Sequence, residues 1–278
     1  MFDILGDVHG HADKLVQCLE LLGYREINGI FQHPDRKLIS LGDIIDRGPY
    51  QRDSVNILRS MQQAGFADVV MANHEFNAVS WALQDAKGNP LRPHSEKNYH
   101  MHSAFLEQAD PQSQWYRDSI EWFKSLPLLL ENEHFRCIHA SWDTTQINYL
   151  KRNLDAENRL KPEQWALAND KSHQLYEAVE HCLKGPEILL PEEQAYRDAN
   201  GILRRTQRTS WWSDADPENE YPTDEKPIFF GHYWMQGTPK LLAVKLACLD
   251  WSVAKDGVLC AYRYNGEVNL KTENLLWV

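Results

Sequence analysis

Six residues of metal-ligand type recur along this chain, each inside a short local signature. Asp7 and His9 sit in Gly6-Asp7-Val8-His9-Gly10, and Asp43 in Gly42-Asp43-Ile44-Ile45-Asp46-Arg47-Gly48. Asn73 opens Asn73-His74-Glu75, His139 is centred in Ile138-His139-Ala140, and His232 follows Gly231. Carboxylate oxygens combined with imidazole nitrogens suit manganese, iron or zinc. The chemistry such a set can serve is phosphoester hydrolysis, which needs a nucleophile better than water and charge relief on the phosphoryl oxygens. Two metal ions roughly 3.5–4 Å apart supply both, by lowering the pKa of a shared water and clamping the phosphate. Asp7 and His9 are two residues apart, so they share a face on a regular strand and can still converge at a strand-end turn.

The order and spacing of the five signatures resemble the calcineurin-like metallophosphoesterases. Within these the chain is most similar to the branch holding the PPP-type serine/threonine phosphatases and the symmetrical diadenosine tetraphosphatases. The resemblance covers most of the chain and is weakest from about 143 to 224. It implies that Asp7 and His9 hold one metal, that Asn73, His139 and His232 hold the other, and that Asp43 bridges them. It also implies that His74 is a general acid partnered by Asp46, and that Arg47 binds phosphate through its planar fork of donors. The implied cofactor is a pair of divalent transition-metal ions, manganese first, with iron or zinc as alternatives. The implied reaction is attack of a metal-bridging hydroxide on a phosphomonoester, either a phosphoprotein or a small phosphorylated metabolite.

Elements that can position these residues are visible in the apolar pattern. Phe2–Leu5 reads as a buried strand, and Ala12–Leu22 as an amphipathic helix with Leu15, Leu19 and Leu22 on one side and Gly23 as its cap. Lys37–Leu41 reads as a second strand, Arg52–Ala64 as a helix, and Val69–Met71 as a third strand delivering Asn73 and His74. Repeated strand–turn–helix units predict a sheet with ligands at the carboxyl ends of its strands. Phe135–Ile138, Ile228–Phe230, Ala247–Asp250 and Leu259–Tyr264 read as strands of a second sheet. The resemblance implies an α/β/β/α sandwich, one domain over 1–278 with a helical cap inserted at roughly 143–224.

The chain has 278 residues, enough for one α/β enzyme domain with a large core. Its net charge of −11, from 40 acidic and 29 basic residues, argues against a sequence-independent grip on nucleic acid. Cys18, Cys137, Cys182, Cys248 and Cys260 show no C-x-x-C spacing and lie mostly in apolar stretches, which suits reduced core thiols. No positive n-region, long apolar run or cleavage site precedes the first strand, so neither a signal peptide nor a membrane span is expected and the chain reads as cytoplasmic.

The middle of the chain, 149 to 193, is polar, acidic and helix-prone, with Trp165, Tyr176 and Leu183 as scattered anchors. It reads as a solvated helical cap, with a substrate-contacting lid as the alternative. Arg204, Arg205 and Arg208 form the basic cluster there, read as a solvated face or as a reach toward substrate phosphates. Trp211 and Trp212 read as packing or hinge residues, or else as a shelf for a nucleobase, and Ser213-Asp214 after them resembles the Trp-Ser-Asp stretch of PPP phosphatases. His11, His94, His100 and His102 are expected at the surface or substrate rim, while His33, His134, His173 and His181 belong to no constellation.

Two departures from the family pattern stand out. Ala72 occupies the position where Gly usually precedes Asn-His-Glu, and 214 to 230 offers Lys226 but no second phosphate-binding arginine. Three readings follow: a phosphomonoesterase, a nucleotide polyphosphate hydrolase of the symmetrical diadenosine tetraphosphatase type, and a non-catalytic metal-binding protein. Glu75 leans toward the first, because the symmetrical tetraphosphatases usually carry Asp there.

Overall fold

The computed structural model describes residues 1–197, 203–212 and 225–278. In chain order, β1 (Phe2–Leu5) leads to α1 (Ala12–Leu21) and a small hairpin of β2 (Arg25–Ile27) and β3 (Ile30–Gln32). Then come β4 (Lys37–Ser40), α2 (Gln51–Gln63), β5 (Ala67–Val69) and α3 (Asn73–Ala82). Helices α4 (Glu96–Gln108) and α5 (Gln114–Lys124) precede β6 (Leu129–Glu131) and β7 (Arg136–Ile138). Next are α6 (Thr144–Asn153), α7 (Gln164–Ala168) and α8 (Gln174–Lys184), followed by the short strands β8 (Glu187–Leu189), β9 (Tyr196–Arg197), β10 (Leu203–Arg204) and β11 (Thr206–Arg208). The chain closes with β12 (Ile228–Phe230), β13 (Leu246–Cys248), β14 (Asp250–Trp251), β15 (Val258–Tyr264) and β16 (Leu275–Trp277).

Two sheets carry the core. The first runs β14-β15-β1-β4-β5, with β16 on β15; the second runs β13-β12-β7-β6. Side chains alternate between the two faces of a strand, and that alternation sorts the core into layers. Ile4, Ile39, Phe229, Ala247, Cys260 and Tyr262 fill the space between the sheets together with Phe135 and Cys137. Their chain neighbours Leu5, Leu38, Phe230, Cys248 and Ala261 point the other way, into the cluster that holds the helices' Leu15, Leu19, Val55, Leu58, Ile147 and Val179. The result is a mixed α/β sandwich of two sheets with helices outside, as the sequence predicts. β1, β4 and β5 are mutually parallel, so their carboxyl ends, and the turns leaving them, open on one edge.

Three expectations need correction. Leu259–Tyr264 belongs to the first sheet, not the second: it pairs antiparallel with β1, Leu5 opposite Ala261. Ala247–Asp250 is not one strand, because the chain crosses between sheets at Leu249, leaving β13 beside β12 and β14 beside β15. Both were apolar runs of strand length, and periodicity cannot say which sheet a buried strand joins. The stretch expected as a helical cap is α-helical only as far as Lys184; among the described residues beyond it, a single 3-10 turn at Glu192–Gln194 accompanies short antiparallel ladders, β8 with β11 and β9 with β10. Nor is its helical part solvated throughout. Trp165 is 2% exposed and Leu183 fully buried, and Trp165 stacks on Phe76 at 5.4 Å. All five cysteines are buried free thiols. Among the described residues no helix is long and apolar enough to cross a membrane.

Candidate active site

The turns after β1 and β4 are zipped together by backbone hydrogen bonds, Val8 N–H and His9 N–H to the Asp43 carbonyl and Gly10 N–H to that of Ile44. These turns, and the one that follows β12, bend in a way L-residues resist. His9, Asp43, Asp46, Arg47, His232 and Trp234 all hold left-handed backbone, with φ between 46° and 79°. Such conformations cost about 1–3 kcal/mol each and persist only where their surroundings over-determine them. Glu75 is one of those surroundings. Its buried carboxylate accepts the backbone N–H groups of Asp43, Ile44 and Ile45 at 3.0, 2.8 and 3.3 Å. Burial and the nearby Asp43 push its pKa up to about 7. The sequence presented Glu75 only as a family marker; its structural task was not legible there.

Asp43 lies at the centre. Its Oδ2 is 3.5 Å from His9 Nε2, 3.5 Å from His139 Nε2 and 4.0 Å from His74 Nε2. Asp7 accepts the His232 backbone N–H on Oδ2 at 3.0 Å. Gly231 allows that approach, since a Cβ there would lie 2.0 Å from Asp7 Oδ1. His9 Nδ1 faces the Ile45 carbonyl at 3.2 Å and His139 Nδ1 faces the Leu41 carbonyl at 2.9 Å. A carbonyl can only accept, so each ring carries its proton on Nδ1 and turns an Nε2 lone pair toward Asp43. Asn73 Oδ1 is 3.0 Å from His139 Nε2. All six expected ligand residues are buried and lie in this one neighbourhood.

The donor set fits metal ions. Asp7 Oδ1, His9 Nε2 and both nitrogens of His232 are buried with no hydrogen-bond partner, an expensive condition that a cation relieves. Two groups of ligand atoms lie within 4.8 Å of one another, His9–Asp43–His74 and Asp43–His139–His232, with Asp43 common to both. Asp7 is not among the atoms of the first group, and His74, whose Nε2 is 4.0 Å from Asp43 Oδ2, falls within its radius. Burial holds His9 down at about 4 and His232 well below the usual imidazole range, so both offer neutral lone pairs. Burial, then the charges of Asp250 and Asp43, push Asp7 well above the carboxylate range. Asp43 goes the other way: burial raises it, but His139 and His74 outweigh that.

His74 Nδ1 is 2.5 Å from Asp46 Oδ2, and both side chains are buried. Burial lowers the His74 pKa, yet Asp43 and the hydrogen bond to Asp46 bring it out raised. Asp46 has a second histidine, His102, with Nδ1 2.9 Å from Oδ1. His102 is therefore not at the surface, whereas His100 two residues earlier is exposed. Residues two apart on a helix point to opposite sides, and Phe105, one turn after His102, is the apolar signal that marked the inward face.

The rim is more open. Exposed Arg47 lies 5.8 Å from the Trp234 ring, which stands 5.6 Å from His9 and carries Lys255 at 3.9 Å on its face. Asp250, unassigned by the sequence, fixes that corner by accepting the backbone N–H groups of Trp234 and Ser252. The arginine cluster divides. Arg208 Nη1 donates to the His232 carbonyl at 3.3 Å, whereas Arg205 is exposed and pairs with Glu192 at 3.7 Å. The side chain of Arg204, and Ser213-Asp214, lie outside the described residues. Trp211 and Trp212 pack on Phe230, and Trp211 Nε1 donates to the Ala140 carbonyl at 3.0 Å, so the pair lies half-buried against the core. Ala72 has φ −110°, an ordinary extended backbone in which glycine is not needed.

The profile of the calcineurin-like phosphoesterases matches residues 1–198. The chain belongs to that family. The match holds Asp7, His9, Asp43, Asn73 and His139, and His232 lies beyond it. A symmetrical bis(5'-nucleosyl)-tetraphosphatase of Vibrio cholerae is 30% identical over 196 residues, 70% of this chain and 56% of that protein. The asymmetrical bis(5'-nucleosyl)-tetraphosphatase PrpE of Bacillus velezensis is 27% identical over 157 residues, 55% of this chain and 61% of that protein. The PrpE of Halalkalibacterium halodurans is 39% identical over 74 residues, 26% of this chain and 30% of that protein. The matches thus span between 30% and 61% of these relatives' length. In fold the chain is similar to a Saccharomyces cerevisiae protein serine/threonine phosphatase, TM-score 0.53 at 13% identity over 100% of this chain and 78% of that one. It is equally similar to a cold-active protein-tyrosine phosphatase of a Shewanella species, TM-score 0.53 at 18% identity over 95% and 75%.

Proposed function

We propose that this chain is a dimetal-dependent phosphoesterase hydrolysing phosphomonoesters, of a phosphoprotein or a small phosphorylated metabolite. The observation that carries this reading is the set of unpartnered buried donor atoms gathered around Asp43. Asp7 and His9 would hold one ion, Asn73, His139 and His232 the other, and Asp43 both; manganese is the first choice, with iron or zinc as alternatives. When bound, such a pair lowers the pKa of a shared water and relieves charge on the phosphoryl oxygens.

The chain's own residues do the rest. Asp46 accepts from His74 Nδ1, which fixes the ring and leaves Nε2 turned toward Asp43. His74 holds a proton there and passes it to the departing oxygen as general acid. Arg47 offers the phosphate two parallel N–H bonds. Glu75 keeps the Asp43 turn in shape through its three backbone bonds.

A second reading, hydrolysis of a nucleotide polyphosphate, is favoured by one contact. Arg208 donates to the His232 carbonyl, so a guanidinium lies next to a candidate metal ligand, within reach of the site for pairing with a further phosphate group. A manganese-loaded substrate panel separates the two: phosphopeptide, nucleotide monophosphate, alkyl and aryl phosphates, and diadenosine tetraphosphate. Turnover of the tetraphosphate exceeding every monoester would replace the first reading by the second. His74→Asn should cut kcat on an alkyl phosphate about a hundredfold and much less on an activated aryl phosphate, with bound metal unchanged. Equal losses on both substrates would remove His74 from the acid role.

A further inference from the structure

Asp46 is gripped from two sides. His74 takes Oδ2 and His102, from α4, takes Oδ1 at 2.9 Å. A carboxylate held at one oxygen can still turn about its Cβ–Cγ bond; held at both, its plane is set. The His102 ring is itself immobilised, lying on Phe105 at 5.1 Å and beside Trp81 at 5.9 Å. Its Nε2 is buried without a partner, and its side-chain hydrogen bond among the described residues goes to Asp46. A residue needed for packing alone has no use for a nitrogen here, since burying an unpartnered one costs stability.

We infer that His102 is a positioning residue for the reaction: by clamping Asp46 Oδ1 it fixes the carboxylate whose Oδ2 orients His74 toward the leaving group. The inference rests on the phosphoesterase reading, in which His74 is the acid. The electrostatics agree. Burial raises the Asp46 carboxyl, but the charge and hydrogen bond of His102, then those of His74, hold it well below the usual range, so it stays an acceptor for both rings. Hydrogen-bond partners that orient the ligands of a metal site typically matter about 10- to 100-fold, and a partner of the acid's carboxylate is expected to act on the same scale. The clamp also ties the site to a distant element, since α4 packs against α2, directly after the turn that bears Asp46 and Arg47.

The test compares two amides at position 102 in the full-length, manganese-loaded protein. His102→Asn puts an N–H donor near the place of Nδ1, and His102→Gln puts it near Nε2. His102→Gln should lose about tenfold or more in kcat on an alkyl phosphate, less on an activated aryl phosphate, with KM and bound metal unchanged. His102→Asn should recover most of that loss. Added to His74→Asn, the Gln change should cost nothing further, because an acid that is absent cannot be misoriented. Equal activity of the two amides, losses that multiply in the double variant, loss of metal, or a His102→Gln protein that does not fold would each overturn the inference. A leaving-group-dependent loss in His74→Asn without one in His102→Gln sinks the clamp alone. Equal losses on both substrates in His74→Asn sink the acid reading beneath it.

Discussion

The strand-end turns and the segment from α6 to β11 meet at the His232 carbonyl but are built differently. At the turns, Asp7, His9, Asp43, Asn73, His139 and His232 are buried, and several sit on backbone forced into left-handed conformations. In the insertion, helices α6 to α8 lock into the core through Ile147, Leu150, Trp165 and Leu183, while β8 to β11 run outward with Ile188 and Leu189 exposed. Arg208, at the end of β11, is the link back to the centre. The comparison teaches a division of labour. The turns spend backbone strain and burial on a fixed geometry, which metal chemistry demands. The outer strands supply an exposed cation, Arg208, whose tie to the centre is its hydrogen bond to the His232 carbonyl.

The difference can be broken at its strongest point first. Asp43→Asn weakens the acceptor shared by both ligand groups. Metal analysis should show reduced occupancy, and turnover should drop on the order of a thousandfold, several kcal/mol of transition-state stabilisation. Full metal and full activity in that variant would dissolve the idea of a bridging carboxylate. Next in size is Trp165→Ala, at a side chain 2% exposed and stacked on Phe76. Denaturant melts should show about 3–5 kcal/mol lost, with kcat preserved under native conditions. A loss below about 1 kcal/mol would mean that the helical part of the insertion is a detachable cap after all. The smallest effect belongs to Arg208→Ala. KM for a nucleotide polyphosphate should rise about three- to tenfold while an aryl phosphate changes little, since one exposed cation contributes on the order of 1 kcal/mol. An equal rise for both substrates would place Arg208 on the scissile phosphate rather than on its neighbour.

Much of this was legible in the sequence, and unevenly so. The ligand types were readable because metal chemistry restricts identity at each position and the signatures are local, as in Gly6-Asp7-Val8-His9 or Asn73-His74-Glu75. Strands β1 and β4 and helices α1 and α2 were readable from apolar spacing. His102 was not, because its partner Asp46 lies 56 residues away, and Phe105 one turn on marks the inward face without naming what a histidine on it would meet. The division of the arginine cluster was equally hidden. Arg205 and Arg208 look alike in the sequence, and the antiparallel pairing of β11 with β8 carries Arg208 to the site and leaves Arg205 at the surface.

What the sequence supplied by itself, then, was a set of candidates: residue types able to bind metal, a histidine of a type able to hold a proton, and the alternation that separates inward from outward faces. Tertiary structure alone decided who meets whom. It placed β15 against β1 rather than in the second sheet, set Glu75 under the Asp43 turn, and brought His102 onto Asp46. The physical reason is one of range. Ligand identity and strand periodicity are properties of neighbouring residues, whereas sheet partnership and a hydrogen bond across 56 residues depend on the free energy of the whole packed arrangement, which no local stretch contains.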